Sequence, residues 1–149
     1  MAQSLSRVYL HIVFSTKDRY PFLSEPALRT EMHSYLAGVS NKLGMQPVEI
    51  GGVADHVHML VLFPRTLTIA NAVKEVKRNS SLWAKDRNLS KFAWQTGYGS
   101  FSVSPSNVDE VVRYIKNQEA HHKTQSFQEE YRLLLEKHSV EYDERYVWD

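Results

Sequence analysis

The sequence predicts an α+β fold of the ferredoxin-like type, with a mainly antiparallel sheet and helices packed on it. Apolar residues alternate with the period of a strand in some segments and recur with the period of a helix in others. These segments follow one another in the order β-α-β-β-α-β-α, a split β-α-β arrangement. The chain has 149 residues, 42% of them hydrophobic, without a repeat or a linker. We therefore expect one domain that spans residues 1–149 and buries its own core.

The first strand and the first helix are predicted from two contrasting patterns. Residues 8–15 are rich in branched and aromatic side chains, which favours a strand buried on both sides. One face carries Leu10, Ile12 and Phe14, and the other carries Tyr9, His11 and Val13. A helix follows, with Ser24 as its cap, Pro26 in its first turn and Gly44 at its end. Its apolar stripe consists of Leu28, Met32, Tyr35, Leu36, Val39 and Leu43.

A tight antiparallel hairpin is predicted from two apolar segments, residues 48–53 and 56–63, which Ala54 and Asp55 separate. The glycine pair at positions 51 and 52 indicates a bulge in the first arm. The second arm is apolar on both faces beyond its first residues, so we expect it to be a central strand.

A helix with one apolar and one basic face is predicted for residues 68–87. The apolar face carries Ile69, Val73, Val76 and Trp83. The basic face carries Lys74, Lys77, Arg78 and Lys85, and Lys17 and Arg19 after the first strand would extend it. This basic face is a candidate DNA-binding surface, although an ordinary solvated helix face is the simpler explanation of an isolated basic stripe.

The C-terminal third is expected to hold short strands and two helices. Residues 92–95 and 100–104 are the strand candidates. One helix begins at Ser104 or Ser106, and the final helix runs from residue 126 to about 138. The inward side chains of the first of these helices are Val108, Val111, Val112 and Ile115.

Composition excludes several classes of site. The chain has no cysteine, so a disulfide scaffold, a thiolate zinc site and a cysteine nucleophile are impossible, and any metal must have nitrogen and oxygen ligands. The net charge is +1, from 18 Lys and Arg against 17 Asp and Glu, so nucleic acid must bind through local patches. Because no apolar stretch is long enough to cross a bilayer, we expect a soluble, cytoplasmic protein with no membrane partner.

His56 and His58 are the strongest candidates for metal ligands. Residues two apart on a strand point to the same face, so this pair would offer two imidazole nitrogens to one point. Buried structural histidines are the alternative, and their rings would then need hydrogen-bond partners among aliphatic side chains. Asp55 precedes the pair and would either orient a ring or serve the turn, and we favour the turn.

Tyr114 and Gln118 lie four residues apart in the predicted helix, and His121 continues the same line at the border of its apolar face. This spacing places a phenol and an amide oxygen where they can reach the sheet. A tyrosine that packs its ring with its hydroxyl in water is the alternative for Tyr114, and Gln118 would then be a surface residue.

Several segments together resemble the HUH endonuclease superfamily, and specifically its single-tyrosine insertion-sequence transposases, over nearly the whole chain. The segments that carry the resemblance are His11-Ile12-Val13-Phe14-Ser15-Thr16-Lys17, Asp55-His56-Val57-His58, Trp94-Gln95, Gly97-Tyr98-Gly99, Phe101-Ser102-Val103 and residues 114–122. They follow the family's usual order, and several separate matches are more specific than one His-x-His pair.

The resemblance implies an enzyme that cleaves and rejoins single-stranded DNA. It implies that His56, His58 and Gln118 bind a divalent cation and that Tyr114 is the nucleophile of a 5′-phosphotyrosine intermediate. With two imidazoles and one amide oxygen as ligands, we expect Mg²⁺ in the cell, with Mn²⁺ better suited to nitrogen ligands. The roles of His121 and His122 and the proton acceptor for Tyr114 stay open.

The resemblance also implies a homodimer, with active sites shared between subunits, that recognises DNA hairpins near the ends of the element. Tyr98, between two glycines, is a candidate base-stacking residue. Three alternatives stay open: a host-retained relative that processes repeated hairpins, a non-catalytic ferredoxin-like nucleic-acid-binding module, and a His-x-His metallohydrolase of small molecules.

Overall fold

The computed structural model describes residues 2–149, and its elements follow the predicted order. The strands are β1 (Val8–Ser15), β2 (Gln46–Val53), β3 (His56–Phe63) and β4 (Gly99–Val103). The helices are α1 (Pro26–Lys42), α2 (Ile69–Asp86), α3 (Val108–Lys116), α4 (Gln118–His121) and α5 (Phe127–Lys137).

The four strands form one antiparallel sheet in the order β2-β3-β1-β4, which confirms the α+β fold with a mainly antiparallel sheet. β3 is a central strand, as its two apolar faces predict. Its first residue, His56, pairs with Ser15 at the end of β1, and Phe63 pairs with Val8. The hairpin register therefore places both histidines of β3 at the end of the sheet where β1 finishes.

The alternation along β1 and β3 separates an aliphatic face from a histidine-bearing face. The aliphatic face carries Leu10, Ile12 and Phe14 of β1 and Val57, Met59, Val61 and Phe63 of β3, and α1 and α2 cover it. The opposite face carries His11, Val13, His56, His58 and Leu60, and residues of α3 and α5 pack against it. The histidines thus lie on the face that α3 and α5 cover.

Helix ends follow the sequence signals at two sites and depart from them at others. The side-chain oxygens of Thr68 and Ser126 accept hydrogen bonds from backbone amides three residues later, which caps α2 and α5. Helix α1 begins one residue later than expected, since Glu25 rather than Ser24 is at the cap position and makes no side-chain cap bond. Ile69 is 37% exposed in the first turn of α2, so its predicted core position is wrong.

Two predictions in the second half of the chain are also corrected. Residues 92–95 do not form a strand, because only Trp94 makes a bridge, to Thr16. The helix predicted from residue 104 is interrupted: a 3-10 turn (Pro105–Asn107) precedes α3, and Asn117 separates α3 from α4. The irregularity in β2 lies between Pro47 and Glu49 rather than at the glycine pair.

Within residues 2–149, the helices are all too short or too polar to cross a bilayer.

Candidate metal and nucleophile site

His56 and His58 point from the same face of β3, as the strand period predicts, and both side chains are fully buried. Their ring centroids are 5.1 Å apart. The Nε2 atom of His56 lies 3.0 Å from Oε1 of Gln118, which is 1% exposed at the start of α4. The two histidines and the glutamine named by sequence reasoning are therefore brought together.

Gly51 lets the tyrosine-bearing helix approach the sheet. A Cβ atom at this position would lie 2.9 Å from Cγ2 of Ile115 and 3.0 Å from its carbonyl oxygen. Only a glycine accommodates that approach without displacing α3, because real Cβ contacts are longer. The close packing of α3 on β2 places Tyr114 over the histidine face, with its ring centroid 5.6 Å from that of His58.

Glu130 of α5 lies at the centre of the site and is 1% exposed. Its Oε1 is 3.3 Å from Nε2 of His56, 3.0 Å from Nε2 of His58 and 3.1 Å from Nε2 of His122. Its Oε2 accepts hydrogen bonds from the Tyr114 hydroxyl and, at 3.0 Å, from Nε2 of Gln118. One carboxylate therefore contacts the imidazoles with one oxygen and the phenol with the other.

The outward nitrogens of the three imidazoles also have partners. Nδ1 of His56 donates to Oδ1 of Asp55 at 2.7 Å. Nδ1 of His58 is 2.8 Å from Nε2 of His11, and Nδ1 of His122 donates to the carbonyl of Gln125 at 2.7 Å. Asp55 lies in the β2–β3 turn, as favoured from the sequence, and it also orients the ring of His56.

Burial and neighbouring charges shift the proton affinities of the cluster. Burial alone would raise the pKa of Glu130, but the adjacent imidazoles of His122, His56 and His58 outweigh it and hold that pKa far below its usual range. Burial and the Glu130 carboxylate raise the pKa of Tyr114 well above that of a free phenol. Burial lowers the pKa of His56, yet Asp55 and Glu130 raise it to a net value of about 9. Burial lowers the pKa of His58, against the opposing effect of Glu130.

Four ligand-type residues form a group that could hold a metal ion: His56, His58, His122 and Glu130. One nitrogen or oxygen from each lies within 4.8 Å of the others. Sequence reasoning left His122 without a role and did not consider Glu130. A signal for Glu130 was present, because it lies on the apolar stripe of Phe127, Tyr131 and Leu134, where an unpaired carboxylate is costly.

His121, which the sequence places on the same helix flank as Tyr114 and Gln118, lies at the edge of the cluster. Its side chain is 37% exposed, and its Nε2 is 3.6 Å from Oε2 of Glu130. His122 lies in the cluster instead, where its side chain is 9% exposed. His122 follows Gln118 by four residues, a helical spacing that also places these two side chains on one flank.

A cavity of about 290 Å³ between α3 and α5 reaches the phenol from outside. His11, Tyr114 and Glu130 form its inner end, and Val111 and Leu134 lie on its sides. Tyr114 and the buried Glu130 therefore line this cavity, whereas His56 and His58 do not line it and are fully buried.

The candidate DNA-binding residues lie apart from the cluster. Lys74, Arg78 and Lys85 are exposed on α2, which covers the sheet face opposite the histidines. Lys77 is half-buried, and its ammonium donates to the carbonyls of Gln95, Thr96 and Gly97 at 2.8, 3.1 and 2.6 Å.

The other three candidates are Lys17, Arg19 and Tyr98. Lys17 is exposed, whereas Nη1 of Arg19 donates to the carbonyl of Trp148 at 2.8 Å. Tyr98 is 36% exposed, and the Lys77 ammonium is 5.6 Å from its ring centroid.

The fold and the cluster define a class of protein. In this class, buried histidines on one face of an antiparallel sheet contact a carboxylate, which in turn contacts a tyrosine on a helix that packs on that face. The family model described as "Transposase IS200 like" matches residues 4–118, more than half of the chain. The chain therefore belongs to the family of IS200-like transposases. The match includes His56, His58, Tyr114 and Gln118 and ends before His122 and Glu130.

Two solved structures share the fold. One is a candidate transposase from Deinococcus radiodurans R1, with 20% identity and a TM-score of 0.62 over 79% of this chain and 98% of that chain. The other is a REP-associated tyrosine transposase bound to a REP hairpin, with 12% identity and a TM-score of 0.60 over 82% of this chain and 74% of that chain. No curated protein sequence matches the chain.

Proposed function

We propose that this transposase cleaves and rejoins single-stranded DNA through a 5′-phosphotyrosine intermediate on Tyr114, with a divalent cation bound by His56, His58 and Gln118. The single observation that carries the proposal is the convergence of the Tyr114 hydroxyl and both histidines on one carboxylate within one chain. The donor set suits a divalent cation, because His56, His58 and Gln118 offer two imidazole nitrogens and an amide oxygen at a buried point. Mg²⁺, or Mn²⁺, stays the expected ion.

The residues of the chain have separate tasks in this reaction. A bound cation would stabilise the charge that develops on the phosphate. Glu130 holds the Tyr114 hydroxyl by a hydrogen bond and so fixes the phenol oxygen beside the histidines. In the attack, the phenol O–H bond breaks, a Tyr114 O–P bond forms and the P–O3′ bond breaks, which leaves a 3′-hydroxyl after protonation. The bond energy is kept in the phosphotyrosine ester, so rejoining needs no nucleoside triphosphate.

We propose a DNA hairpin as the substrate, since the REP-associated neighbour is bound to one. The exposed cations Lys74, Arg78, Lys85 and Lys17 would contact phosphates, and Tyr98 would stack on a base. Lys77 and Arg19 belong to the same expected surface, although both cations already bind backbone carbonyls. We expect this protein to act in the cytoplasm, at the nucleoid, as a homodimer. Because Tyr114 and both histidines converge within one chain, the expected sharing of active sites would require the tyrosine-bearing helix to exchange between subunits.

A host-retained relative that processes repeated hairpins is the second candidate. The REP hairpin bound by one neighbour favours it. The two candidates share the same chemistry and differ in the DNA that flanks the gene. An element with its own end hairpins beside the gene indicates a mobile transposase, and dispersed hairpin repeats indicate the host-retained relative.

The test is covalent capture of a labelled single-stranded hairpin in the presence of Mg²⁺ or Mn²⁺. Wild-type protein should form an adduct that survives denaturant, because the phosphotyrosine bond is covalent. Tyr114→Phe should form none, whereas Tyr146→Phe, which alters a tyrosine that is 63% exposed, should behave as wild type. An adduct that persists in Tyr114→Phe would reject the nucleophile. Chelator-insensitive binding without any adduct would favour the non-catalytic nucleic-acid-binding module.

A further inference from the structure

The hydrogen bonds around three histidines determine where their remaining nitrogens point. Nδ1 of His56 donates to Asp55, and Nδ1 of His122 donates to the carbonyl of Gln125. Nδ1 of His58 is 2.8 Å from Nε2 of His11, and in the tautomer in which it donates to His11 all three Nδ1 atoms carry the ring proton. Metal-binding histidines are commonly held in this way, with the outward N–H bound to a carboxylate or carbonyl. The three Nε2 lone pairs are then free and directed inward.

The three Nε2 atoms surround one carboxylate oxygen. Oε1 of Glu130 lies 3.0–3.3 Å from the Nε2 atoms of His56, His58 and His122. Nε2 of His122 is buried, lies 3.1 Å from Oε1 of Glu130 and has no hydrogen-bond partner among the described residues. Acceptor atoms this close repel one another unless a positive charge lies between them.

The rings of His56 and His122 lie close together, with their centroids 4.5 Å apart in a buried site. One divalent cation bound between the three imidazoles and the carboxylate would supply positive charge to all four groups at a single point.

The distances from Glu130 Oε1 to the three imidazole nitrogens also fit a coordination shell. Metal–ligand bonds of about 2.0–2.2 Å separate neighbouring ligand atoms by roughly 2.8–3.6 Å in tetrahedral and octahedral geometry. The three contacts of Glu130 Oε1, at 3.3, 3.0 and 3.1 Å, lie within this interval. Oε1 of Gln118, 3.0 Å from Nε2 of His56, is close enough to be a further ligand.

We propose that His122 and Glu130 are metal ligands together with His56 and His58, and that this three-histidine, one-carboxylate set selects a nitrogen-binding ion such as Mn²⁺ or Zn²⁺ over Mg²⁺. The inference rests on the proposed metal-dependent function and changes its ligand set. Imidazole suits first-row transition ions, whereas Mg²⁺ prefers oxygen ligands and keeps several waters. Because Glu130 also binds the Tyr114 hydroxyl, the cation and the nucleophile would share one carboxylate.

Calorimetric titration of the metal-free, DNA-free full chain with Mn²⁺, Zn²⁺ and Mg²⁺ tests the ligand set. One ion should bind per chain, and Mn²⁺ and Zn²⁺ should bind more tightly than Mg²⁺. His122→Ala and Glu130→Gln should each weaken Mn²⁺ binding by at least the roughly 10–100-fold that loss of an outer partner costs. Glu129→Gln, an exposed neighbour on α5, and His138→Ala should leave the affinity unchanged.

A spectroscopic measurement distinguishes the loss of a ligand from the loss of folding in the variants. The Co²⁺-loaded protein should show visible absorption bands that shift in His122→Ala, because the number of nitrogen ligands falls, while far-ultraviolet circular dichroism stays the same. Co²⁺ bands that are identical in wild type and His122→Ala would overturn the inference, as would unchanged Mn²⁺ affinity in both variants.

The outcomes separate this inference from the proposed function. If His56→Ala and His58→Ala lose Mn²⁺ while His122→Ala and Glu130→Gln keep it, the enlarged ligand set is wrong and the proposed function stands. If the cation binds as expected but Tyr114→Phe still forms the DNA adduct, the proposed function fails and the ligand set stands. Wild-type protein that binds none of the three ions would overturn the inference outright.

Discussion

Nε2 of His11 lies 2.8 Å from Nδ1 of His58, and both rings are buried on the same face of the sheet. The rings stack with their centroids 5.0 Å apart. Burial and the neighbouring His58 ring hold the pKa of His11 well below its usual range, so the ring is neutral at pH 7. A neutral His11 can accept the proton of His58 Nδ1 and thereby direct Nε2 of His58 toward Glu130.

Replacing His11 with leucine should therefore weaken cation binding without removing a ligand. The expected loss of Mn²⁺ affinity is about 10–100-fold, because an outer partner fixes the tautomer and the orientation of the ligand ring. Titration calorimetry measures it, and His138→Leu on the same side of the sheet is the control. Wild-type affinity in His11→Leu would mean that packing alone orients His58.

Gly51→Ala should destabilise the protein and displace the tyrosine-bearing helix. The new methyl group would lie 2.9 Å from Cγ2 of Ile115, so α3 must move away from β2. We expect a loss of about 1–3 kcal/mol in the free energy of unfolding, as for other overpacked sites. DNA adduct formation should also fall, because Tyr114 precedes Ile115 on α3.

Gly38→Ala is the matched control for this change, measured in the same urea titrations. Nothing lies within 4 Å of a Cβ at Gly38, which is inside α1. Alanine should stabilise the helix there by about 0.5–1 kcal/mol. Equal destabilisation in both variants would contradict the role assigned to Gly51.

Local periodicity predicted most of the fold because both strand faces and most helix stripes are patterned over many residues. It also predicted that His56 and His58 share a face, since that follows from the strand period alone. The residues that local pattern missed depend on long-range packing. Glu130 is 72 residues from His58 in sequence, and no local period relates the two.

The helix break at Asn117 was missed for a different reason. The pattern from Tyr114 to His121 fits a continuous helix, and no proline or glycine marks an end between them. Gln118, directly after the break, bonds to both His56 and Glu130, and no local pattern shows these contacts. Spacing alone leaves both His121 and His122 near the flank of Tyr114 and Gln118, and packing against Glu130 distinguishes the buried His122 from the more exposed His121.

His33 should make the protein sensitive to mild acid. Burial, with a smaller effect from Arg29, lowers the pKa of His33 to about 4, and its Nε2 has no hydrogen bond among residues 2–149. The unfolded chain takes up this proton near pH 6.5, but the folded chain takes it up only near pH 4. The free energy of unfolding should therefore fall between those pH values, by at most about 3.5 kcal/mol at 1.4 kcal/mol per pKa unit.

The check is urea unfolding of wild type and His33→Leu at pH 7 and pH 4.5. Leucine cannot be protonated, so the stability of the variant should fall less between the two values. Parallel losses in the two proteins would show that other groups, such as the buried cluster histidines, dominate the response to acid.

Lys77 and Lys74 lie three residues apart on α2. Substitutions at these two positions should distinguish a structural cation from a DNA-binding one. Lys77→Met leaves three carbonyls without their ammonium donor, so the free energy of unfolding should fall by about 1.5–3 kcal/mol. Lys74→Met changes an exposed side chain, so stability should stay within about 0.5 kcal/mol.

If Lys74 contacts a phosphate, its loss should make the salt dependence of single-stranded DNA binding shallower by about 0.7 in log–log slope. An unchanged slope in Lys74→Met would remove it from the DNA surface, because a contact with a phosphate necessarily releases a counterion from the strand.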